Sequence, residues 1–324
     1  MSINPEPGTK SFAAIEVAGA ATERTYVNNP LIGPPRPRTI EIPILNVNGA
    51  SGGPNVAIVA GTHACEYPAI DAAIQIYRRI EPNELRGRLT IVPVLNTAAF
   101  WTRTPYVNPS DGVDIGATYG TEGSSISYLI GKTMVNEVFS KADYVVDLHG
   151  GDLLEDIAPH AGYTRIGEKD VDDASEMLAM SYGTEYVFER LVPGAFEKSG
   201  MRIPRIMVEA GREGRLEEEY TIIHIKGIMN VLKALDMIEG EPDLPASQVV
   251  LHGRYEIFAK RAGMFYPKVQ VGESISRGDL LGEIRDFEGE TIEKLTAPKA
   301  GVVQLIMTNP VKHRDDLLFK CWLP

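Results

Sequence analysis

An imidazole and a carboxylate stand three residues apart in the segment Gly61-Thr62-His63-Ala64-Cys65-Glu66. The apolar run before it, residues 56–60, predicts a buried strand, and Pro68 is well placed as the first residue of a helix. His63 and Glu66 would then lie on the turn at the carboxyl end of a strand, where open α/β sheets bind ligands. Side chains of these types facing one point can hold a divalent metal, with zinc as the first candidate.

The third candidate ligand is His149, which ends the apolar run at residues 144–149. This run predicts another buried strand, so His149 is expected at the same edge of the sheet as the first two ligands. Two histidines and one glutamate form a catalytic zinc set, which keeps a position for water. Asp147 and Asp152 are close in sequence and could orient a ligand imidazole.

Two further side chains are of types that the hydrolysis of a carbonyl compound needs. Glu209 ends a strand predicted at residues 205–209, where it could take a proton from water and return it to a leaving amine. Arg103 lies in a long segment rich in Pro, Gly, Asn and Asp, and could stabilise an oxyanion. Taken singly, Glu209 could equally be a surface carboxylate at a strand end, and Arg103 a solvated loop charge.

Other residues with reactive side chains favour structural roles. Cys65 is expected to be a small packed thiol rather than a ligand. Four histidines have no partner at ligand spacing, and they are His160, His224, His252 and His313. Residues 116–123 lack a preceding strand and a phosphate-loop lysine, which argues against nucleotide binding. The sequence also contains no Gly-x-Ser-x-Gly nucleophile turn.

The composition excludes several classes of protein. Of 324 residues, 44% are hydrophobic and 23% are charged, which is ordinary for a soluble globular chain of one or two domains. The net charge of −12 argues against nucleic acid or a membrane surface as a partner. Two cysteines exclude a disulfide scaffold, and no signal peptide or apolar run of about 20 residues is visible. We therefore expect a cytoplasmic protein.

Helices and apolar strands alternate up to residue 238, which predicts an α/β fold with a mixed, mostly parallel sheet covered by helices on both faces. The further strands are predicted at residues 40–44 and 89–96, and the helices at 68–80, 127–139, 171–182 and 217–238. Residues 1–37 are expected to be an irregular lead-in with one strand near residues 12–17. Residues 96–123 are expected to be a long functional loop.

The composition changes after Glu239. A linker at residues 240–245 is followed by short strands separated by glycine turns, at residues 254–259, 264–266, 279–285 and 301–307. We therefore predict two domains, an α/β unit at residues 1–244 and a small all-β, barrel-like unit at residues 245–324.

Taken in order, the motifs resemble the succinylglutamate desuccinylase/aspartoacylase family, which is related to the zinc carboxypeptidases. The likeness covers roughly residues 40–235, and its motifs are Gly-x-His-x-x-Glu, Asn96, Thr102-Arg103-Thr104, Asp147-Leu148-His149 and Val208-Glu209-Ala210-Gly211. The resemblance implies a carboxypeptidase-like fold and one zinc ion per chain, held by His63, Glu66 and His149. It also implies that Glu209 is the general base and acid, that Arg103 polarises the carbonyl, and that the reaction is hydrolysis of an N-acyl amide bond.

The C-terminal segment resembles a biotinyl/lipoyl-type barrel. The likeness is carried by Phe265-Tyr266-Pro267, by residues 278–282 and by residues 297–301. The Met-Lys-Met modification site is missing, since the hairpin region reads Arg285-Asp286-Phe287-Glu288-Gly289-Glu290. We expect a barrel without a swinging arm that covers the mouth of the active site. Tyr266 could reach the cleft, although a packed aromatic is the plainer interpretation.

One departure from the family pattern concerns the substrate. The family usually has Asn-Leu-Asn-Arg after Asp-Gly, and its Asn-Arg pair holds a substrate carboxylate. Here Asp111-Gly112 is followed by Val113-Asp114-Ile115-Gly116-Ala117, so both polar groups are gone. Either another cation such as Arg212 or Arg165 binds the carboxylate, or the substrate lacks one there. Asp114 could instead favour a cationic or polar substrate group, although a solvated loop aspartate is the plainer interpretation.

The sequence thus predicts a zinc-dependent deacylase that acts on a small N-acyl compound, without nucleic acid or membrane as a partner and possibly as a homo-oligomer. A carboxypeptidase or peptide amidase would use the same chemistry. A metal-binding regulatory protein without activity and an assembly module built on the β domain are the alternatives from other classes.

Overall fold

Residues 6–18 and 39–323 are described by the computed structural model of the protein, and they form six α-helices and 17 strands. The helices are α1 (Tyr67–Arg79), α2 (Thr97–Thr102), α3 (Ile126–Glu137), α4 (Lys169–Tyr182), α5 (Ala195–Lys198) and α6 (Glu218–Ala234). The larger sheet contains β1 (Thr9–Ala18), β2 (Thr39–Asn48), β3 (Ser51–Val59), β4 (Arg86–Val92), β5 (Tyr144–His149), β6 (Glu155–Thr164), β7 (Tyr186–Arg190), β8 (Arg205–Arg212), β9 (Val249–Leu251), β10 (Gly253–Phe258), β12 (Ser274–Ile275), β15 (Gly301–Met307) and β17 (Leu317–Leu323). The smaller sheet contains β11 (Gly263–Pro267), β13 (Leu280–Arg285), β14 (Thr291–Thr296) and β16 (Val311–Lys312).

The centre of the larger sheet is parallel and its flanks are antiparallel. Four strands run parallel in the spatial order β4-β3-β5-β8. Outside them, β2 pairs antiparallel with β4, and β6 pairs antiparallel with β8. Because parallel strands end at the same edge, the carboxyl ends of β3, β5 and β8 come together there. The predicted mixed sheet is confirmed, and its parallel part lies where the candidate ligands are.

Helices cover both faces of this central sheet. This cover explains why the sequence of β3 is continuously apolar. Val56 and Ile58 belong to the core that α1, α4 and α6 complete, while Ala57 and Val59 belong to the core on the opposite face with α3. All four side chains are fully buried. A strand that is buried on both sides needs apolar residues at every position rather than at alternate ones. The predicted α/β fold is therefore confirmed.

The C-terminal segment contains strands only, and some of them extend the larger sheet. β15 pairs antiparallel with β6, with Leu305 opposite Ile157, and β17 and β10 follow in turn. The remaining strands form the separate sheet in the order β14-β13-β11-β16. Phe265, Leu281 and Phe319 belong to the core shared by the strands of this segment. The division at residue 244 stays a prediction, because hydrogen bonds between β6 and β15 cross it.

Several local predictions need correction. β4 ends at Val92, so the strand predicted up to residue 96 is too long. The predicted loop at residues 96–123 contains α2, whose N-cap Asn96 accepts a hydrogen bond from the Ala99 amide at 3.2 Å. β6 and β7 were not predicted, because β6 is interrupted by Pro159 and its pairing with β8 shifts register there.

The strand predicted near residues 12–17 forms part of β1. Residues 1–5 and 19–37 of the expected irregular lead-in lie outside the described residues. Among the helices in the described ranges, none combines the length and the hydrophobicity that crossing a bilayer requires.

Candidate active site

The turn between β3 and α1 places the first two candidate ligands. Gly61 has φ 64°, a left-handed conformation that glycine adopts without the steric cost of a side chain. A Cβ atom at Gly61 would also lie 3.0 Å from the Val94 Cα atom. The backbone of Gly61 is fixed by the amide of Asn96, which donates to its carbonyl oxygen at 2.8 Å. The turn therefore leaves the strand sharply and delivers His63 and Glu66 to the edge of the sheet.

The structure brings the three predicted ligands together. His63 Nδ1 lies 2.8 Å from Glu66 Oε1, and His149 Nδ1 lies 3.0 Å from Glu66 Oε2. One donor atom from each residue lies within 4.8 Å of the others. Glu66 is 2% exposed and His149 is 4% exposed, so the cluster lies at the base of the site. The two imidazoles thus present the same ring nitrogen to one point, with the carboxylate between them.

The outer ring nitrogens of both histidines face carboxylates. His149 Nε2 lies 3.4 Å from Asp147 Oδ1, and His63 Nε2 lies 3.6 Å from Asp114 Oδ1. Asp147 in turn accepts a hydrogen bond from Arg205 Nη2 at 2.5 Å. A carboxylate behind a ligand histidine fixes the tautomer and the orientation of the ring. Asp147 therefore lies where the sequence predicted it.

Asp114 and Asp152 differ from the prediction. Asp114, which the sequence suggested as a substrate contact or a solvated charge, faces the His63 ring. Asp152 does not orient a ligand imidazole. Its carboxylate accepts hydrogen bonds from the backbone amides of Tyr106 at 2.9 Å and Leu153 at 2.6 Å. Asp152 thus fixes the loop that carries Tyr106.

The electrostatics of the three residues favour a bound cation. Burial lowers the pKa of His63, but the carboxylates of Glu66 and Asp114 outweigh this effect and raise it to about 10. Burial also lowers the pKa of His149, but the carboxylates of Asp147 and Glu66 outweigh this effect and raise the pKa well above its usual value. Several carboxylates around two imidazoles leave an excess of negative charge that a cation would neutralise. With two imidazoles and one carboxylate as donors, the residues fit Zn²⁺.

Glu209 lies beside the three candidate ligands. In the sheet its Cα atom is opposite that of His149 on β5 and that of His160 on β6. Its side chain lines the same cavity as His63 and Glu66. Burial raises the pKa of Glu209 to about 8, His149 opposes this effect, and Glu66 adds to it. In the described part of the chain, no salt bridge includes Glu209, so its carboxylate is available for chemistry.

Arg103 is not brought to the ligands. It follows α2 with φ 55° and its side chain is exposed. Among the described residues that line the two cavities next to the ligands, Arg103 does not occur. Its carbonyl-polarising role therefore stays a prediction.

Two cavities adjoin the candidate ligands, and His63, Arg190 and Met207 line both of them. The first has a volume of about 250 Å³ and contains Glu66 and Glu209 in its wall. The C-terminal strands β10, β15 and β17 contribute Arg254, Gln304, Leu305 and Lys320 to this cavity. The second, of about 410 Å³, is lined by Asp114, Gly116, Ala117 and Lys198 among others. As expected, the C-terminal segment lies over the site.

His160 differs from its sequence interpretation, whereas Tyr266 agrees with the plainer of its two interpretations. His160 was expected to be structural, yet it lines the first cavity. Its Nδ1 atom donates a hydrogen bond to the Ala158 carbonyl oxygen at 2.9 Å, and burial lowers its pKa to about 4. Tyr266 does not reach the cavities and instead packs under Arg285, with the guanidinium 4.7 Å from the ring centre.

A comparison with known protein families assigns the chain to one of them. Residues 52–235 match the family model of the succinylglutamate desuccinylase/aspartoacylase catalytic domain. The chain belongs to this family. The matched residues include all three candidate ligands and Glu209, and they end at α6.

One curated relative and two solved structures resemble the chain over 76% to 100% of its length. The N-alpha-acetyl-L-2,4-diaminobutyric acid deacetylase of Halomonas elongata is 26% identical over 258 residues, which are 76% of this chain and 75% of the relative. The product-bound ectoine utilization protein EutE (DoeB) from Ruegeria pomeroyi has a TM-score of 0.87 at 20% identity, and the match covers 100% of this chain and 98% of that one. A succinylglutamate desuccinylase/aspartoacylase from Rhodobacter sphaeroides has a TM-score of 0.85 at 23% identity, with 99% and 98% covered. The fold is therefore shared, including the C-terminal strands.

Proposed function

We propose that the protein is a metal-dependent amidohydrolase that removes the acyl group from a small N-acyl compound. The observation that carries the proposal is the position of Glu209. This carboxylate has no ion-pair partner in the described residues and lines the same cavity as the candidate ligands, on the strand next to His149. Membership of a family named for deacylating enzymes supports it, and so does the deacetylase relative.

His63, Glu66 and His149 would hold one Zn²⁺ ion per chain. The ion would act as a Lewis acid towards the substrate carbonyl and the attacking water. Asp147 and Asp114 keep the two imidazoles in the orientation that directs Nδ1 to the ion. Arg205 holds Asp147 in place, and its other amino group donates to Glu197 Oε1 at 3.0 Å. This chain of contacts resists rotation of His149.

Glu209 moves the proton in this proposal. It takes a proton from the attacking water and later returns it to the nitrogen that leaves. Both transfers use one carboxylate, because the attacking water and the leaving nitrogen are bonded to the same carbon during the reaction. The resemblance gives Arg103 the role of polarising the carbonyl. From its exposed position, Arg103 would have to approach the ligands when the substrate binds.

The substrate is small in this proposal, because the cavity next to Glu209 has a volume of only about 250 Å³. Its walls contain both acidic and basic side chains, including Glu155, Arg190 and Lys320. A compound with charged groups of both signs besides the acylated nitrogen fits such walls. An N-acylated amino acid with a second amino group, like that in the name of the Halomonas relative, belongs to this class.

The test combines metal analysis with a hydrolysis screen. Purified protein is analysed for bound metal and is then offered N-acyl amino acids, N-acyl diamines, neutral amides and short peptides. The proposal expects about one zinc ion per chain and release of the acyl group from an N-acyl compound. Faster cleavage of the peptides would favour a peptide amidase or carboxypeptidase. Metal binding without hydrolysis of any compound would favour a regulatory protein and would contradict the proposal.

A further inference from the structure

In the wall of the second cavity, no basic side chain stands at the position of the Asn-Arg pair of the family pattern, although Arg190, Lys198 and Arg205 line the cavity elsewhere. The positions of the family's Asn-Arg pair are occupied by Gly116 and Ala117, and both residues line this cavity. Neither carries a side chain that can bind an anion. If the substrate has a carboxylate, a different element must supply the positive charge.

The arginine of the second cavity wall, Arg205, and the two arginines that the sequence suggested are already paired with carboxylates. Arg205 contacts Asp147 and Glu197, Arg212 contacts Glu217 at 2.9 Å, and Arg165 contacts Glu176 at 2.6 Å and Glu189 at 3.1 Å. Arg212 and Arg165 were the two alternatives that the sequence suggested. Both lie outside the lining of the two cavities, so they do not replace the missing pair.

Arg190 differs from these arginines in its position and its contacts. It is the last residue of β7 and lines both cavities, as does the candidate ligand His63. Within residues 6–18 and 39–323, no salt bridge includes Arg190. The polar side-chain contact of its guanidinium is a hydrogen bond from Nη1 to the Met207 sulfur at 3.5 Å. A thioether is a weak acceptor, so most of the five donors of this guanidinium remain available.

The surroundings of Arg190 favour an anion. Burial lowers the pKa of Arg190, and the positive charges of Arg205 and Arg254 lower it further. The carboxylates of Glu197 and Glu209 act in the opposite direction, although neither forms a salt bridge with this guanidinium. A partly buried guanidinium without a salt bridge carries a desolvation cost, which a carboxylate with two parallel hydrogen bonds would offset. The planar fork of arginine matches a carboxylate better than the ammonium group of lysine does.

We infer that Arg190, at the end of β7, binds the carboxylate of the substrate and so takes the role of the Asn-Arg pair of the family pattern. The substrate is then an N-acyl amino acid rather than an N-acyl diamine without a carboxylate. Because Arg190 and Glu209 line the same cavity, the carboxylate binds near the acylated nitrogen, as on an α-amino acid. The inference rests on the proposed amidohydrolase function.

The experiment compares each N-acetyl-L-amino acid of a panel with its carboxamide, which differs only in the charged group. For the wild-type protein we expect kcat/KM to be about 100-fold higher for the acid, the value for a charge-assisted hydrogen-bonded pair. Arg190→Met should remove this preference by lowering kcat/KM for the acid about 100-fold, mainly through KM. Its activity on the carboxamide should stay within about threefold of wild type.

Two further variants keep the test decisive. Arg190→Lys retains the charge but loses the bidentate geometry, so its preference for the acid should be intermediate. Arg165→Lys changes a paired arginine outside the cavities and should behave as wild type. Arg190→Met could have a lower thermal midpoint, and its loss of activity would then also reflect lost stability. In that case the test is competitive inhibition of Arg190→Lys by the free amino acids. An inhibition constant equal to that of the wild-type protein would refute the inference.

The outcomes separate this inference from the proposed function. If the wild-type protein hydrolyses no N-acyl compound, the amidohydrolase proposal fails, and the inference fails with it. If it hydrolyses them without preferring the acid, or if Arg190→Met keeps the wild-type preference, only the assignment of Arg190 is overturned.

Discussion

The substitution Glu209→Gln tests the proposed mechanism most directly. It preserves the size of the side chain and its ability to accept a hydrogen bond, but it removes the group that exchanges a proton. Glu209 has no ion-pair partner among the described residues, so no other charge is left unpaired. Because glutamine has nearly the same shape as the side chain it replaces, the thermal midpoint should not fall. The folded structure and the three candidate ligands should therefore remain.

The expected loss of activity follows from the two roles of this carboxylate. General acid–base catalysis typically contributes about 10²- to 10⁴-fold to a rate, and Glu209 would act both as base and as acid. We expect kcat to fall by about 10³- to 10⁵-fold, which corresponds to about 4 to 7 kcal/mol in the activation free energy. Glu155 and His160 line the same cavity and could accept a proton inefficiently, which sets the residual rate.

The assay measures kcat, KM and bound zinc for Glu209→Gln together with Glu155→Gln, the same change at another carboxylate of this cavity. Both variants should contain as much zinc as the wild-type protein. Glu155→Gln should keep kcat within about tenfold, because other groups in the cavity can compensate for a lost polar contact. A turnover of Glu209→Gln close to that of the wild-type protein would remove Glu209 from the mechanism.

Three further predictions concern the surroundings of the site and the C-terminal segment. Asp147→Asn should weaken zinc binding about 10- to 100-fold in chelator competition, because Asp147 orients the His149 ring. Asp152→Asn is the control, since Asp152 accepts hydrogen bonds from loop amides, and it should leave zinc binding unchanged. Arg103→Ala should lower kcat about 100-fold with little change in KM, and unchanged kcat would assign Arg103 to the solvated surface.

Lys312 is 2% exposed, and burial lowers its pKa to about 8. The unfolded chain therefore holds this proton up to higher pH than the folded chain does. The contribution of Lys312 to stability should then rise between pH 8 and about 10.5, by up to about 3 kcal/mol. In urea unfolding, the difference in unfolding free energy between the wild-type protein and Lys312→Met should change by this amount over that pH range.

The sequence predicted the candidate ligands because their positions follow from local patterns. His63 and Glu66 are three residues apart after an apolar strand, and His149 ends a second one. Parallel strands that are buried on both faces are easily recognised, and their carboxyl ends share an edge. Glu209 was placed for the same reason, although β8 continues to Arg212, three residues beyond the predicted end of the strand.

The remaining features depend on contacts that no local pattern encodes. Asp114 faces His63 although 51 positions separate them (114 − 63 = 51). β7 pairs with β6 and β9, two strands with polar or very short sequences, so neither β7 nor the position of Arg190 was predictable. Arg103 was assigned from a motif, and a motif does not reveal on which side of a turn the side chain lies. In each case the deciding partner comes from a distant segment.

The pairing of β15 with β6 affects how truncated forms of this protein would behave. A chain ended before residue 245 would lose Gln304, Leu305 and Lys320 from the cavity wall. It would also leave the backbone groups of Ile157 and its neighbours on β6 without their hydrogen-bonding strand. Such an open edge recruits strands from other molecules, so the shortened chain should aggregate rather than persist as an inactive monomer. The strands that cover the candidate site are therefore also a barrier against intermolecular sheet formation.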